Sequence, residues 1–266
     1  MPKSKKPAQM VSLVRLMLSS RILAQMRRNR SKVRPSSKKI MKGILIMNIQ
    51  KTLAGALVVG AMVVAPFAAN AQNKPVDITF GGKATAQVKH KGKIITIQRV
   101  QDNGNNVDAS FAKTSRPCPP FCIQPISLAP GVETIGENEM IDYLEQMSAG
   151  DDSILVIDSR TPNWVERGQI PGAINLPWTK LNTAKGADPL SIGEIMEGQF
   201  NATQFDGLWK FGKAKTLVMY CNGMWCGQSP ANIKALLDFG YPSHKIKWYR
   251  GGMQNWANLG LTTVKP

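Results

Sequence analysis

Histidine is nearly absent: the 266-residue chain has two, His90 and His244. No Cys–His dyad is evident, so a reactive thiol here would be activated by helix and amide electrostatics alone. Acidic residues are missing altogether from residues 1–71, which hold 14 of the 34 lysines and arginines. The remainder carries 20 basic against 17 acidic side chains, a net of +3, so the formal charge of +17 belongs to a tail. No aromatic residue interleaves the charges of residues 1–46, unlike a tail that stacks on nucleic acid. Long apolar runs are missing too. The clean stretch Leu53–Ala65 falls short of the ~20 residues of a bilayer-spanning helix. No internal repeat is visible.

What precedes residue 72 reads as a targeting segment. "MNIQKTLAGALVVGAMVVAPFAANAQ" opens at Met47 with a one-lysine n-region and continues through the apolar run. It ends on Ala69-Asn70-Ala71, small residues at the −3 and −1 positions of a cleavage point before Gln72. Residues 47–71 are expected to be a secretory signal peptide, and Pro66 weakens the alternative of a spanning helix. Residues 1–46 form a basic leader, consistent with a true start at Met47 or Met41. The expected location is periplasmic or secreted, with no stable membrane span after cleavage and no nucleic-acid partner.

There are four cysteines, Cys118, Cys122, Cys221 and Cys226. Export admits disulfides, and four cysteines permit three complete pairings, among which sequence does not choose. Residues 72–115 read as a small β-rich extension. "VDITF" and "ATAQVKH" alternate, "IITIQRV" is β-branched, and "KHKGK" and "QDNGNN" supply turns. Packing or partner docking is the expected role. Residues 116–131 form a Pro-rich linker, "RPCPPFCIQP", in which Cys118 and Cys122 are candidates for a structural disulfide, to each other or to the second pair. The two intervening prolines favour an extended path, so a local bridge requires a sharp turn. Two cysteines without nearby companions make a weak metal site. Neither a metal nor a cofactor is expected.

Residues 132–266 alternate helix and strand patterns. "GENEMIDYLEQMSAG" has early acids, apolar residues at helical spacing and Gly150 as a stop. "SILVIDSR" and "KTLVMY" read as buried parallel strands, "AINLPW" and "HKIKWYR" as further strands. "TPNWVERG", "SIGEIMEGQF" and "GGMQNWANLG" read as helices. So does "SPANIKALLDFG", with Ser229 as N-cap and Pro230 at the first helical position. The pattern predicts a doubly wound α/β domain, in which ligands bind beyond the carboxyl ends of the strands. Cys221 is the first residue after the "KTLVMY" strand, facing the amino terminus of the next helix, whose free N–H groups and partial positive charge stabilise a thiolate or an anion. Gly223 and Gly227 allow the loop amides to turn inward. A buried structural cysteine is the bland alternative.

"ILVIDSRTPNWVERGQIPGAINLPW", "LVMYC…S…ALLDFGY" and "YRGGMQNW" resemble the ordered motifs of the rhodanese-like domain over about residues 132–266. The resemblance implies a five-stranded parallel sheet and, in active members, sulfur transfer through a cysteine persulfide. Matched residue by residue, it implies Cys221 as nucleophile and Asp158 and Arg160 as the D-x-R pair. Arg160 would attract an anionic donor and Asp158 would support the loop, although a structural salt bridge accounts for the pair equally well. For Arg250, after the last strand, two readings stand open: facing the same mouth, or facing solvent. The substrate-binding set becomes Asn222, Gly223, Met224, Trp225, Gly227, Gln228 and Ser229 with Arg160 and Arg250, and Trp225 and Trp178 could wall the pocket.

Three features depart from the family. The loop is two residues longer than C-x-x-G-x-R-S, Gln228 replaces its arginine, and Gln169 replaces the histidine of G-H-I-P-G-A. The loss of the arginine weakens the case for thiosulfate as donor. The added Cys226 is a candidate resolving thiol or a permanent lock. The expected function is an exported sulfurtransferase with a small sulfur-containing anion or thiol acceptor as partner. A thiol–disulfide redox protein using Cys221–Cys226 with a periplasmic redox partner is one alternative. A non-catalytic binding module is the other.

Overall fold

The computed structural model describes residues 74–266; the basic leader and the signal peptide expected at 47–71, with its cleavage point, lie outside the described residues. The strands are β1 (Thr85–His90), β2 (Lys93–Gln98), β3 (Glu133–Ile135), β4 (Ile154–Asp158), β5 (Ile174–Asn175), β6 (Thr203–Phe205), β7 (Leu208–Lys210), β8 (Thr216–Tyr220) and β9 (Ile246–Tyr249). The α-helices are α1 (Glu137–Ser148), α2 (Pro162–Val165), α3 (Pro189–Gly198), α4 (Gln228–Asp238) and α5 (Gly252–Asn258).

A five-stranded sheet in the order β3-β9-β8-β4-β5 forms the centre, and every pairing in it is parallel. Its middle strands, "ILVID" and "TLVMY", are apolar almost throughout because both faces of a parallel sheet are covered. The pleat divides their side chains between two cores. Ile154, Val156, Val218 and Tyr220 meet Met140, Ile141 and Leu144 of α1 and Met253 and Trp256 of α5. Ile157, Leu217, Met219 and Trp248 meet Ile192, Ile195 and Met196 of α3 and Ile233 and Leu236 of α4. This is the doubly wound α/β fold expected from the sequence.

Two short hairpins complete the architecture. β6 and β7 pair antiparallel around Asp206 and Gly207, both at positive φ (56° and 76°). β1 and β2 form the core of the amino-terminal extension. Alternation along β1 buries Ala86, Val88 and His90, and Ala86, Val88 and Ile97 enter the α1/α5 core. Lys89 N donates to Ser148 Oγ at 2.8 Å, and Gly172 N donates to His90 Nδ1 at 3.1 Å. The extension therefore packs on the α/β body.

"VDITF" is not a strand, contrary to its alternation. The amides of Ile78 and Thr79 both turn back to the Lys83 carbonyl, and Phe80 is fully exposed. Lys83 in turn pairs with Asp142 and Glu145 of α1. The segment closes a turn instead of joining the hairpin. Among the described residues no helix is long and apolar enough to cross a membrane.

Candidate active site

Asp158, Tyr220 and Tyr249 stand side by side in register at the carboxyl ends of β4, β8 and β9. The loops leaving these ends carry the chemistry. Residues 221–227 join β8 to α4, and the start of α5 holds that loop from behind: Met253 N donates to the Cys221 carbonyl and Gln254 N to the Asn222 carbonyl, both at 3.0 Å. The contact requires glycine at 252. Its φ is +55°, and a Cβ there would lie 2.3 Å from the Cys221 oxygen. With its carbonyls tied back, the loop turns amides toward its sulfurs. Gly223, at φ +155°, also uses its freedom, but Gly227 does not: its φ is −90° and a Cβ would meet open space.

Cys221 and Cys226 are free thiols, 2% and 4% exposed. The Ser229 hydroxyl donates to Cys221 Sγ at 3.0 Å, and the Ser229 amide also addresses that sulfur. The Cys221 thiol donates to the Cys226 carbonyl at 3.5 Å and, once Cys226 is ionised, can turn its one proton to that sulfur. Cys226 Sγ also accepts from Asn222 Nδ2 at 3.6 Å and from the amides of Gln228 and Asn222. The Cys221 hydrogen bond and these amides bring the Cys226 thiol down to about 7, against the opposing pull of burial. Burial, and then the proximity of Cys226, push the Cys221 thiol up. The pair therefore favours a single thiolate, centred on Cys226 and hydrogen-bonded by Cys221.

Ser229 is not the N-cap of α4. Gly227 holds that position, and Ser229 lies inside the first turn, where its side chain can face the sulfur. Gln228, at the helix start, leaves its side-chain Oε1 buried without a partner. Neither histidine approaches the pair. His90 belongs to the hairpin, and His244 sits in the turn before β9.

Arg160 is committed to Asp158 and to the loop that follows it. It is completely buried, its Nη2 lies 2.6 Å from Asp158 Oδ2, and Nε reaches both carboxylate oxygens at 2.9 and 3.1 Å. Its remaining donors go to the carbonyls of Trp164 and Gly168. Burial alone would lower the guanidinium's pKa, but Asp158 more than offsets it. Asp158 also accepts from Tyr220 Oη at 3.0 Å, so the D-x-R pair is a buried brace between strand and loop. Arg250 is likewise committed. Its Nε and Nη2 donate to the carbonyls of Gln124 and Pro125 and tether the linker.

The linker lies over the cysteine loop, a placement not visible in the sequence. Cys118 and Cys122 form a local disulfide with Cα atoms 4.7 Å apart; both peptide bonds entering Pro119 and Pro120 are cis. Gln124 N donates to the Met224 carbonyl at 2.7 Å, and Phe121 meets Trp225 edge-on with ring centroids 5.6 Å apart. Trp164 stands 6.2 Å from Trp225, whose indole nitrogen donates to Gln254 Oε1. The aromatic cluster beside Trp225 is thus Trp164 and Phe121. Trp178 packs near Lys185 instead, with Nζ 5.9 Å from its ring. Among the described residues no cluster of metal-ligating side chains occurs.

The family model described as the rhodanese-like domain matches residues 140–259. A sulfurtransferase from Allochromatium vinosum is 27% identical over 125 residues, covering 47% of this chain and 92% of that protein. Among solved structures, the human single-domain sulfurtransferase is 20% identical, covers 47% of this chain and 95% of its own, and superposes with a TM-score of 0.30. A rhodanese-related protein from Thermoplasma volcanium is 17% identical, covers 50% and 99%, and gives a TM-score of 0.29.

Proposed function

We propose that the protein is a sulfurtransferase that carries sulfane sulfur as a persulfide on Cys221. The rhodanese-like domain and the sulfurtransferase relative support sulfur transfer in general. The observation that carries the finer reading is Cys221 directly after β8, accepting from the Ser229 hydroxyl at 3.0 Å beside a second thiol, Cys226, whose pKa is lowered to about 7. Cys226 in its thiolate form accepts the Cys221 proton as Cys221 sulfur attacks the outer sulfur of a donor. With thiosulfate, the S–S bond of the donor breaks, sulfite leaves with the bonding pair, and Cys221 holds the persulfide. An acceptor thiolate or cyanide then takes the outer sulfur. The Asn222 side chain and the amides of Asn222, Gln228 and Ser229 stabilise the sulfur anion.

Reduced protein exposed to thiosulfate should gain one sulfur on the Cys221 peptide by mass spectrometry. Absence of that increment, or its survival in Cys221→Ser, contradicts the proposal. Export through cleavage before Gln72 belongs to the same proposal and is checked by the amino-terminal residue of the mature protein.

Two free thiols that influence each other's ionisation within one loop favour a second reading, a redox dithiol. Cys226 thiolate would attack the Cys221 sulfur of the persulfide, expel hydrosulfide and leave a Cys221–Cys226 disulfide, which an external dithiol partner then reduces. A redox titration without a reversible Cys221–Cys226 couple removes this reading.

A further inference from the structure

The cysteine loop from Cys221 to Ser229 contains no basic residue, and Gln228 stands where the family places its arginine. An anionic donor approaching a buried thiolate is repelled unless a cation is close. Arg116, which opens the linker, lies 105 positions upstream of Cys221 in the sequence. Its Cζ is 4.0 Å from the Trp225 ring centroid, 5.7 Å from that of Trp164 and 5.8 Å from that of Phe121. Its Nε is buried without a hydrogen-bond partner. Arg167 approaches Trp164 as well, at 4.4 Å. Among the described residues neither guanidinium has a carboxylate within salt-bridge distance.

Two arginines sharing one tryptophan oppose each other, and a half-buried guanidinium with an unsatisfied N–H is costly. Burial and the charge of Arg167 lower the Arg116 pKa, against a smaller opposing pull from Cys226. It is also firmly delivered. The Cys118–Cys122 bridge, the Gln124–Met224 backbone bond and the Arg250 tether hold the linker against the loop.

We infer that Arg116 is the anion-recognising residue of this site: from the linker, with Arg167 beside it, it binds the sulfonate oxygens of a thiosulfate-class donor and supplies the positive charge that the lengthened loop lacks. The inference rests on the sulfur-transfer reading for its substrate, but not for its electrostatics. Thiosulfate donates its outer sulfur and leaves as sulfite, so its oxyanion end need not enter the sulfur cradle, and Arg116 stands over Trp225, a residue of the same loop.

The test compares the intact protein with Arg116→Gln and Arg116→Lys. The glutamine variant should raise KM for thiosulfate by roughly 10- to 100-fold with kcat nearly unchanged, the size of one charge-assisted hydrogen bond, and lysine should restore most of it. These comparisons are made at about pH 9, where Cys226 is ionised in all three proteins, and there a neutral alkyl persulfide donor should be used equally by all three. A second readout needs no turnover: alkylation of Cys226 by iodoacetamide against pH. Arg116→Gln should shift that profile upward by about half to one pH unit and abolish protection by thiosulfate. An unchanged alkylation profile with unchanged thiosulfate protection in Arg116→Gln overturns the inference. If the unaltered protein forms no persulfide but thiosulfate protects its thiols only when position 116 is basic, sulfur transfer fails and anion recognition stands. If KM and persulfide yield are the same with glutamine at 116, anion recognition fails and sulfur transfer stands.

Discussion

Ser229 hands a hydrogen bond to Cys221: its hydroxyl lies 3.0 Å from Cys221 Sγ, and the same oxygen accepts the buried Trp248 indole N–H at 3.1 Å. One side chain thereby links the nucleophile to the core of β9. Ser229→Ala should lower the yield of persulfide on Cys221 by about tenfold and cost ~1–3 kcal/mol of stability in urea unfolding, since the Trp248 N–H is left unpaired. Ser229→Thr, which keeps the hydroxyl, should lose far less persulfide.

Thiol reactivity should follow the asymmetry of the pair. Alkylation of Cys226 is expected to rise through about pH 7, whereas Cys221 should titrate above an ordinary thiol. The stability consequences have opposite signs. Cys226 has its folded pKa below the ordinary value of 9.0, so its contribution is full above that value and is lost as pH falls through about 7. Cys221 has its folded pKa raised, so its contribution is full below the ordinary thiol value and is lost as pH climbs beyond it. Stability should therefore rise between about pH 7 and 9 and decline above. Denaturant midpoints across this window check the curve, and in Cys226→Ser the rise should vanish.

Asp158 and Arg160 are assigned a structural part, and the assignment has a measurable signature. Asp158→Ala strands a completely buried guanidinium, so a loss of ~3–5 kcal/mol is expected in chemical denaturation. An Arg160→Lys protein that kept its stability but raised KM for thiosulfate would return this residue to the substrate.

The linker's hold on the loop depends on its staple. Replacing both Cys118 and Cys122 by serine should cost about 2 kcal/mol at most, the chain-entropy value for so short a ring. The Gln124 amide, bonded to the Met224 carbonyl at 2.7 Å, should then exchange with solvent about tenfold faster or more. Hydrogen exchange at that one amide separates a loosened linker from global unfolding.

The α/β body was legible because its signals are local. Continuous apolar runs in "ILVID" and "TLVMY" require cover on both faces, and Cys221 directly after β8 needs only the next helix to become a site. Signals that depend on partners failed. "VDITF" alternates like a strand but found no neighbour to pair with, while the β6–β7 hairpin announced itself by Asp206-Gly207, a turn dipeptide, between runs too short to attract notice. Between substrate ligand and structural salt bridge, the two readings open for Arg160, spacing could not choose, because burial against Asp158 is set by tertiary folding. Arg116, Phe121 and Trp164 were invisible as site residues because only tertiary folding brings the linker across Trp225.

The edge strand β3 has a consequence for the order of events during synthesis. It is bonded within the sheet to β9 alone, and Glu133 of β3 pairs with Lys247 of β9 across 114 residues at 2.7 Å. Contacts so distant along the chain form late, once the closing of a long loop is repaid. The backing that α5 gives the cysteine loop arrives with the same carboxyl-terminal segment. A nascent chain must therefore carry Cys221 and Cys226 without their cradle until β9 and α5 have been made. The interval before β9 docks is when either thiol is most open to a wrong partner.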